Sequence, residues 1–251
     1  MMRNIVLKLA FDGKEYHGWQ RQKNVMTVQQ ALEDALSRIY AQKITLSGCS
    51  RTDAGVHARE YYCNFFAEGK GIPCEKLPYA VNIEIPRSIT VLEAKEAPQK
   101  FNTRFSNRGK EYTYEIWTAN HQNPFLVGYA WHYPKKLDQE KMREGAKALI
   151  GEHDFRAFMA QGSKAKTTIR TVEYIYIEEE GQKLRIRIFA NGFLYNMVRI
   201  ICGTLVYVGN GKMQPREVSN IVKSLDRLRA GPTAPPDGLY LSRVDYSHWG
   251  L

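Results

Sequence analysis

The sequence predicts an α+β protein built from two halves that each run β-α-β-β-α-β. Two observations carry that expectation. Short segments with apolar residues at every second position alternate with segments whose apolar residues recur every three to four positions. The same order of segments then occurs twice along 251 residues, without residue-level identity between the two passes.

The first strand reads at 5–11. A helix begins at Thr27, because Thr27 and Gln30 fit a capping box in which each side chain satisfies a backbone N–H. Val28, Ala31, Leu32, Ala35, Leu36 and Ile39 then form an apolar stripe at helical spacing. Strands are expected at 44–48, where Ile44, Leu46 and Gly48 alternate with Lys43, Thr45 and Ser47, and at the aromatic run 61–66. A short helix near 75–81 and a strand near 89–97 complete the first half.

In the second half a strand is expected at 111–118 and a helix at 138–150, with Asp138 as cap and Gly151 as stop. Segments 171–179 and 183–190 read as a hairpin around Glu180-Gly181-Gln182. An apolar helix at 194–208 and another at 215–224, with Pro215 in its first turn, precede a last strand at 239–244. Two such units imply two ferredoxin-like halves, residues 1–104 and 105–251. The boundary falls in the polar, basic segment 99–109.

Apolar residues make up 43% of the chain and charged residues 25%, an ordinary globular balance. The net charge of +10 is less ordinary. It favours a polyanionic partner, since Lys and Arg gain affinity by releasing counterions from phosphates. The opening run 5–9 is too short and too soon interrupted by charge for an export signal. No apolar window is long enough for a membrane span. Cys49, Cys63, Cys74 and Cys202 form no Cys-x-x-Cys pair, so reduced thiols in a cytoplasmic protein, without a zinc site, are expected. Neither a Gly-x-Gly-x-x-Gly nor a P-loop signature is present, and no cofactor is implied.

The segment richest in chemistry is Gly48-Cys49-Ser50-Arg51-Thr52-Asp53-Ala54-Gly55-Val56-His57-Ala58. It sets one carboxylate between an arginine and a histidine, on a connection between two expected strands, where a rigid frame can present a reactive group. The residues alone also allow an ordinary turn, with the Asp side chain bonding nearby backbone and Gly55 supplying conformational freedom. Arg199 is the second candidate. It is the sole charged residue between Ile188 and Gly209. A guanidinium on so apolar a helix either reaches solvent along its own stem or pairs with a carboxylate. In the strand around Tyr112, Tyr112 and Tyr114 share one face, and Glu111 and Glu115 lie on the other.

The run Arg51-Thr52-Asp53-Ala54-Gly55-Val56-His57-Ala58 closely resembles the active-site motif of the tRNA pseudouridine synthase A (TruA) family. Further stretches resemble the same family, in order along the chain. They are Phe11-Asp12-Gly13 with Tyr16-His17-Gly18-Trp19-Gln20, then Phe193-Leu194-Tyr195-Asn196-Met197-Val198-Arg199, then Gly238-Leu239-Tyr240-Leu241. The resemblance implies a fold in which the two halves join through a continuous, mostly antiparallel sheet with a central cleft. It implies that Asp53 is the catalytic nucleophile, that Arg199 pairs with it, and that Tyr112 stacks on the target uracil. Arg51 is implied to hold the target nucleotide out of its stack, and Leu239 to wall the pocket. It also implies tRNA as substrate, modified on the 3′ side of the anticodon arm, and a homodimer.

The RNA surface is expected to be spread over several basic clusters. Lys183, Arg185 and Arg187 fall on one strand face, and Lys164, Lys166 and Arg170 in a Gly- and Ser-containing loop. Lys100, Arg104, Arg108 and Lys110 line the presumed boundary, while Arg21 and Lys23 follow the aromatic 16–19 loop. Three other readings stay open on sequence. One is the same chemistry on ribosomal RNA. Another is a non-catalytic RNA-binding protein on this fold, and the third an N-glycosidase, which would want a second carboxylate for water activation.

Overall fold

The structure is a computed structural model and describes residues 2–69 and 71–250. The chain divides into two compact units, Met1–Arg108 with Tyr240–Leu251, and Gly109–Leu239.

The first unit runs β1 (Met2–Phe11), α1 (Val28–Tyr40), β2 (Ser47–Gly48), β3 (His57–Glu68), α2 (Leu77–Glu84) and β4 (Ile89–Ala97). β1 lies between β3 and β4, antiparallel to both, with Leu7 opposite Cys63 and Ala94. β2 pairs antiparallel with β3, Ser47 facing Asn64. Alternation along the strands puts Ile5, Leu7, Leu9, Tyr61, Cys63 and Phe65 on one face, all essentially inaccessible. Val28, Leu32, Ala35 and Leu36 of α1 are equally buried, and Tyr40 at its end meets Phe65 edge-on at 5.5 Å. Thr27 caps α1 as expected, its hydroxyl oxygen accepting from Gln30 N at 3.3 Å.

β2 is shorter than the expected 44–48, for a visible reason. Ile44 N donates to Ser37 Oγ and Leu46 N to Glu33 Oε1, both at 3.0 Å. Side chains of α1 thus take the amides that a longer strand would offer to a ladder.

The segment after β4, expected as a boundary, is fastened to the sheet by buried amides. Asn4 Nδ2 donates to the carbonyls of Pro98 and Phe101, each at 2.9 Å. Asn64 Nδ2 donates to Asn4 Oδ1 at 2.9 Å, and Asn64 Oδ1 accepts from Thr103 N at 3.1 Å. The Thr103 hydroxyl donates to Ser47 O at 2.6 Å. A satisfied buried polar network of this kind fixes one arrangement, because each broken bond strands a desolvated partner.

The second unit runs β5 (Gly109–Trp117), β6 (Trp131–His132), α3 (Gln139–Lys147), β7 (Gly151–Asp154), β8 (Ile169–Glu180), β9 (Lys183–Ala190), α4 (Met197–Gly209) and α5 (Glu217–Ser224). β5, β9, β8 and β7 are neighbours in that order, each pair antiparallel, and β6 lies parallel to β5. One face carries Tyr112, Tyr114, Ile116, Leu184, Ile186 and Ile188, all buried. Ile200, Ile201, Cys202 and Leu205 of α4 are fully buried too. Burial of each such aliphatic side chain contributes about 2 kcal/mol. α4 starts three residues later than the expected 194, because Asn196 is left-handed (φ 58°) and cannot continue a helix backwards. The two-residue β6 and the four-residue β7 escape the sequence pattern; both are too short to show a period.

The last strand, β10 (Leu239–Asp245), corrects the expected division at 104/105. It runs parallel to β3, with Tyr240 opposite His57 and Leu241 opposite Ala58. Val244 N donates to Glu60 Oε1 at 3.0 Å, and the buried Tyr246 hydroxyl donates to Thr103 O. Residues 240–250 therefore pack in the first unit, while Arg108 closes it and the second begins at Gly109.

Asn64→Ala is expected to lower unfolding free energy by about 2–4 kcal/mol, read from urea denaturation, because it strands Asn4 Oδ1 and the Thr103 amide.

Candidate active site

The first unit presents Asp53 on the connection 49–56, between β2 and β3. Asp53 is half-buried, Arg51 beside it is exposed, and both sit where the sequence placed them. The connection closes as a turn in which Val56 N donates to Asp53 O at 3.2 Å, with Gly55 left-handed (φ 79°).

A second loop, 12–20, grips this one. Gly55 N donates to Tyr16 O at 3.2 Å and Trp19 N to Thr52 O at 3.3 Å. The approach is so close that a Cβ on Gly13 would overlap the Val56 carbonyl oxygen, and one on Gly18 the Thr52 carbonyl oxygen. The gripping loop is itself anchored. Asp12 N donates to Ser88 O at 2.8 Å, the Tyr16 hydroxyl meets Ser88 Oγ at 2.7 Å, and Gln29 N of α1 donates to Trp19 O at 3.0 Å. Trp19 stacks on Tyr61 at 4.1 Å, and the Tyr61 hydroxyl donates to Ser50 O. Gly48 is required beneath them, since a Cβ there would meet the Trp19 ring and the Tyr61 hydroxyl.

His57 does not face solvent; it is 2% exposed. Its Nδ1 lies 3.1 Å from Gly13 N and 3.1 Å from Asp12 Oδ1. One nitrogen cannot serve both. The Gly13 amide always carries its proton, so Nδ1 accepts from it in the neutral ring, and Asp12 Oδ1 instead accepts from Lys14 N at 3.0 Å. The ring stacks on Tyr240 at 4.7 Å, and Arg59 covers Tyr240 at 4.2 Å. Glu60, the carboxylate nearest to Asp53 in sequence, is engaged by Lys8 at 2.8 Å and by the Val244 amide.

Thr52 carries a signal that the sequence could not give. It is 8% exposed, and its hydroxyl makes no hydrogen bond among the described residues. A desolvated hydroxyl without a partner destabilises a fold, and here it stands next to Asp53.

Tyr112, Arg199 and Leu239 lie in the second unit. Tyr112 is 5% exposed and meets Phe193 edge-on at 5.2 Å. Phe193 opens the run that ends at Arg199. The half-buried Arg199 does not simply reach for solvent. Its Nε donates to Ala234 O at 2.7 Å and its Nη1 to Asn196 Oδ1 at 2.9 Å, while Ala234 N donates back to Arg199 O at 3.1 Å. Asn196, the left-handed residue ahead of α4, is thus also the one that aims the guanidinium. Tyr114 donates to Pro235 O at 2.7 Å, and burial pushes its phenol well above the usual range, with Arg199 opposing that shift. Leu239, 5% exposed, follows the 3-10 turn Pro236–Gly238.

The basic residues separate into two kinds. Lys183 pairs with Glu115 at 3.1 Å, Arg185 with Glu180 at 2.9 Å and Glu115 at 3.6 Å, and Arg187 with Glu178 at 2.8 Å and Glu111 at 3.8 Å. The strand face read as a basic stripe is therefore a ladder of alternating charge across β5, β9 and β8. The sequence of β9 alone hides the carboxylates that neighbouring strands bring beside it. Arg21 is likewise held by Glu33 at 3.1 Å and Asp34 at 3.2 Å. Lys100, Arg104, Arg108, Lys164 and Lys166 are exposed.

The family model described as tRNA pseudouridine synthase matches residues 9–106 and 146–247. The chain belongs to that family. It is 49% identical to tRNA pseudouridine synthase A of Thermoanaerobacter sp. (strain X514) over 245 residues, 98% of this chain and 100% of that protein. The proteins of the same name from Caldicellulosiruptor bescii and Ruminiclostridium cellulolyticum are 44% and 42% identical, again over 98% of this chain and 100% of theirs. Asp53, Arg199 and Leu239 fall inside the matched residues, and Tyr112 falls between them.

Gly18→Ala is expected to cost about 2 kcal/mol or more in urea denaturation, because a φ of +79° and a blocked carbonyl both oppose the new methyl. Thr52→Val is expected to keep or raise the melting temperature in calorimetry, because it removes a hydroxyl that bonds nothing.

Proposed function

We propose that this protein isomerises uridine to pseudouridine in tRNA, on the 3′ side of the anticodon arm, with Asp53 as the nucleophile. The observation that carries the reading is the grip of the 12–20 loop on the Asp53 connection. A turn that merely joins two strands needs no glycine at each of two carbonyl contacts, whereas a reactive carboxylate needs its backbone held within a fraction of an ångström. The family match over both units supports the same activity.

The chemistry asks little beyond one carboxylate and a closed pocket. The uridine leaves its stack and enters the site, with Arg51 standing in for it in the RNA. Asp53 acts on the nucleoside as the C1′–N1 bond breaks, much as the nucleophile of a retaining glycosidase captures a sugar. The uracil turns against Tyr112, and the new bond joins C1′ to C5 as the Asp53 carboxylate is released. C5 then gives up its proton while N1 regains one. Nothing is consumed or released, so no cofactor enters the balance. Arg199, aimed by Asn196 and Ala234, keeps Asp53 ionised and oriented. Leu239 adds apolar wall, which excludes the water that would otherwise release free uracil.

Lys100, Arg104, Arg108, Lys164 and Lys166 carry the tRNA backbone in this reading, because they are exposed and none enters an ion pair within 4 Å among the described residues. Lys183, Arg185 and Arg21, which hold carboxylates already, contribute less. The working form is a cytoplasmic homodimer, each tRNA touching both subunits.

Asp53→Asn is expected to lower pseudouridine formation on unmodified tRNA by about a thousandfold or more while the protein still binds RNA, measured by nuclease digestion and chromatography beside a binding assay. Arg199→Met is expected to melt cooperatively yet lose most turnover, about a hundredfold, with Arg199→Lys recovering part of it. Pseudouridine at wild-type rates in Asp53→Asn would end the assignment, and free uracil in its place would make the protein a glycosidase. Sedimentation at twice the mass of one chain checks the dimer.

A further inference from the structure

Segment 98–108 contains three cations and no carboxylate, and it holds two phenylalanines with opposite fates. Phe101 is 1% exposed and packs against Tyr246 and Trp249 at 5.4 and 5.1 Å. Phe105 is 78% exposed. A lone exposed apolar side chain usually needs no explanation. Phe105 is different because its backbone is fixed. Phe105 N and Ser106 N donate to Asn102 O at 3.1 and 2.8 Å, and Asn102 Oδ1 accepts from Arg104 N at 2.9 Å. Asn107 Nδ2 closes the turn from the other side, donating to Arg104 O at 2.9 Å and to Thr103 O at 3.2 Å.

The turn is also tied to the strand that leads into the candidate nucleophile. Thr103 donates to Ser47 O and Ser47 Oγ to Asn102 Oδ1 at 3.3 Å, and Ser47 lies six residues before Asp53. The Arg104 guanidinium stands 5.6 Å from the centroid of the Phe105 ring, and Lys100, on the same segment, lies 5.8 Å from the half-buried Trp249 ring. Neither Lys100 nor Arg104 enters an ion pair among the described residues, in contrast to the basic residues of β9.

We propose that Phe105, with Arg104 beside it and Lys100 earlier on the same segment, is a platform on which an unpaired base of the RNA stacks, a second base-binding site apart from the one for the target uracil. The inference rests on an RNA substrate, as proposed above. A rigid exposed ring among unoffset cations is what a single strand requires: the ring takes a base face of any sequence, and the cations take the phosphates on either side. A partner protein with an apolar patch would also have to neutralise Arg104 and Lys100, so the charge favours the nucleic acid.

The test uses Phe105→Leu, which keeps apolar bulk and removes the ring, and Phe105→Trp, which keeps a ring and adds a reporter. Both are placed in the wild-type and the Asp53→Asn chains and titrated with unmodified tRNA transcript. Phe105→Leu is expected to weaken binding about fivefold or more, with melting temperature and sedimentation unchanged. Phe105→Trp is expected to bind as wild type, with emission quenched by tRNA beyond that of the native tryptophans. Equal affinity of the Leu and Phe proteins would overturn the platform, as would a shift of the Leu variant to a smaller sedimenting species, which would make Phe105 a contact between protein copies. A wild-type protein that forms pseudouridine while Phe105→Leu binds normally sinks this inference alone. A wild-type protein that binds RNA without forming pseudouridine sinks only the catalytic reading.

Discussion

The packing of one backbone directly against another, where loop 12–20 meets the Asp53 connection, is the constraint on which the rest of the first unit turns. Two carbonyl oxygens, of Thr52 and Val56, lie where a side chain on Gly18 or Gly13 would be. With no side chains between, each loop limits the other, and through loop 12–20 the Asp53 connection is tied to α1 and to Ser88. Trp19 and Tyr61 extend the support by filling the space beneath, stacked at 4.1 Å over a glycine that lets them pass. The buried His57 adds a polar pin between the loops. Precision at a carboxylate therefore comes from the least functional-looking residues of the motif.

The second unit solves a related problem with a different device. A charged residue near the start of an otherwise apolar helix would be costly if its hydrogen bonds were left unmade. Arg199 avoids that cost by donating to a carbonyl of the 231–238 loop and to the residue that starts its own helix. The strain of a left-handed Asn196 is small for an asparagine. The same residue ends the extended run, begins α4, and orients the guanidinium.

Electrostatics divides the cations by how much of their charge is left over. A count of +10 suggests a broad basic surface, yet the most regular basic array, on β9, is offset almost residue by residue from β5 and β8. Such a ladder stabilises the sheet face and fixes strand register more than it attracts phosphate. The irregular segments 98–108 and 162–168 carry exposed cations that enter no ion pair among the described residues.

Sequence alone determined most of the element order, because strand and helix periods are local properties. β4 and β9 fell on their expected bounds, and the Thr27 and Asp138 caps were legible from side-chain chemistry within three residues. The Asp53 motif was legible too, though only its resemblance to a family separated it from an ordinary turn. Tertiary structure decided whatever depends on residues far apart in the chain. It shortened β2 through Ser37 and Glu33, and it sent β10 to β3. It buried His57, and it set carboxylates opposite Lys183 and Arg185 while leaving Phe105 bare. Each of these turns on a partner tens of residues away or on a neighbouring strand, and a period read along one segment carries no information about what the fold will place beside it.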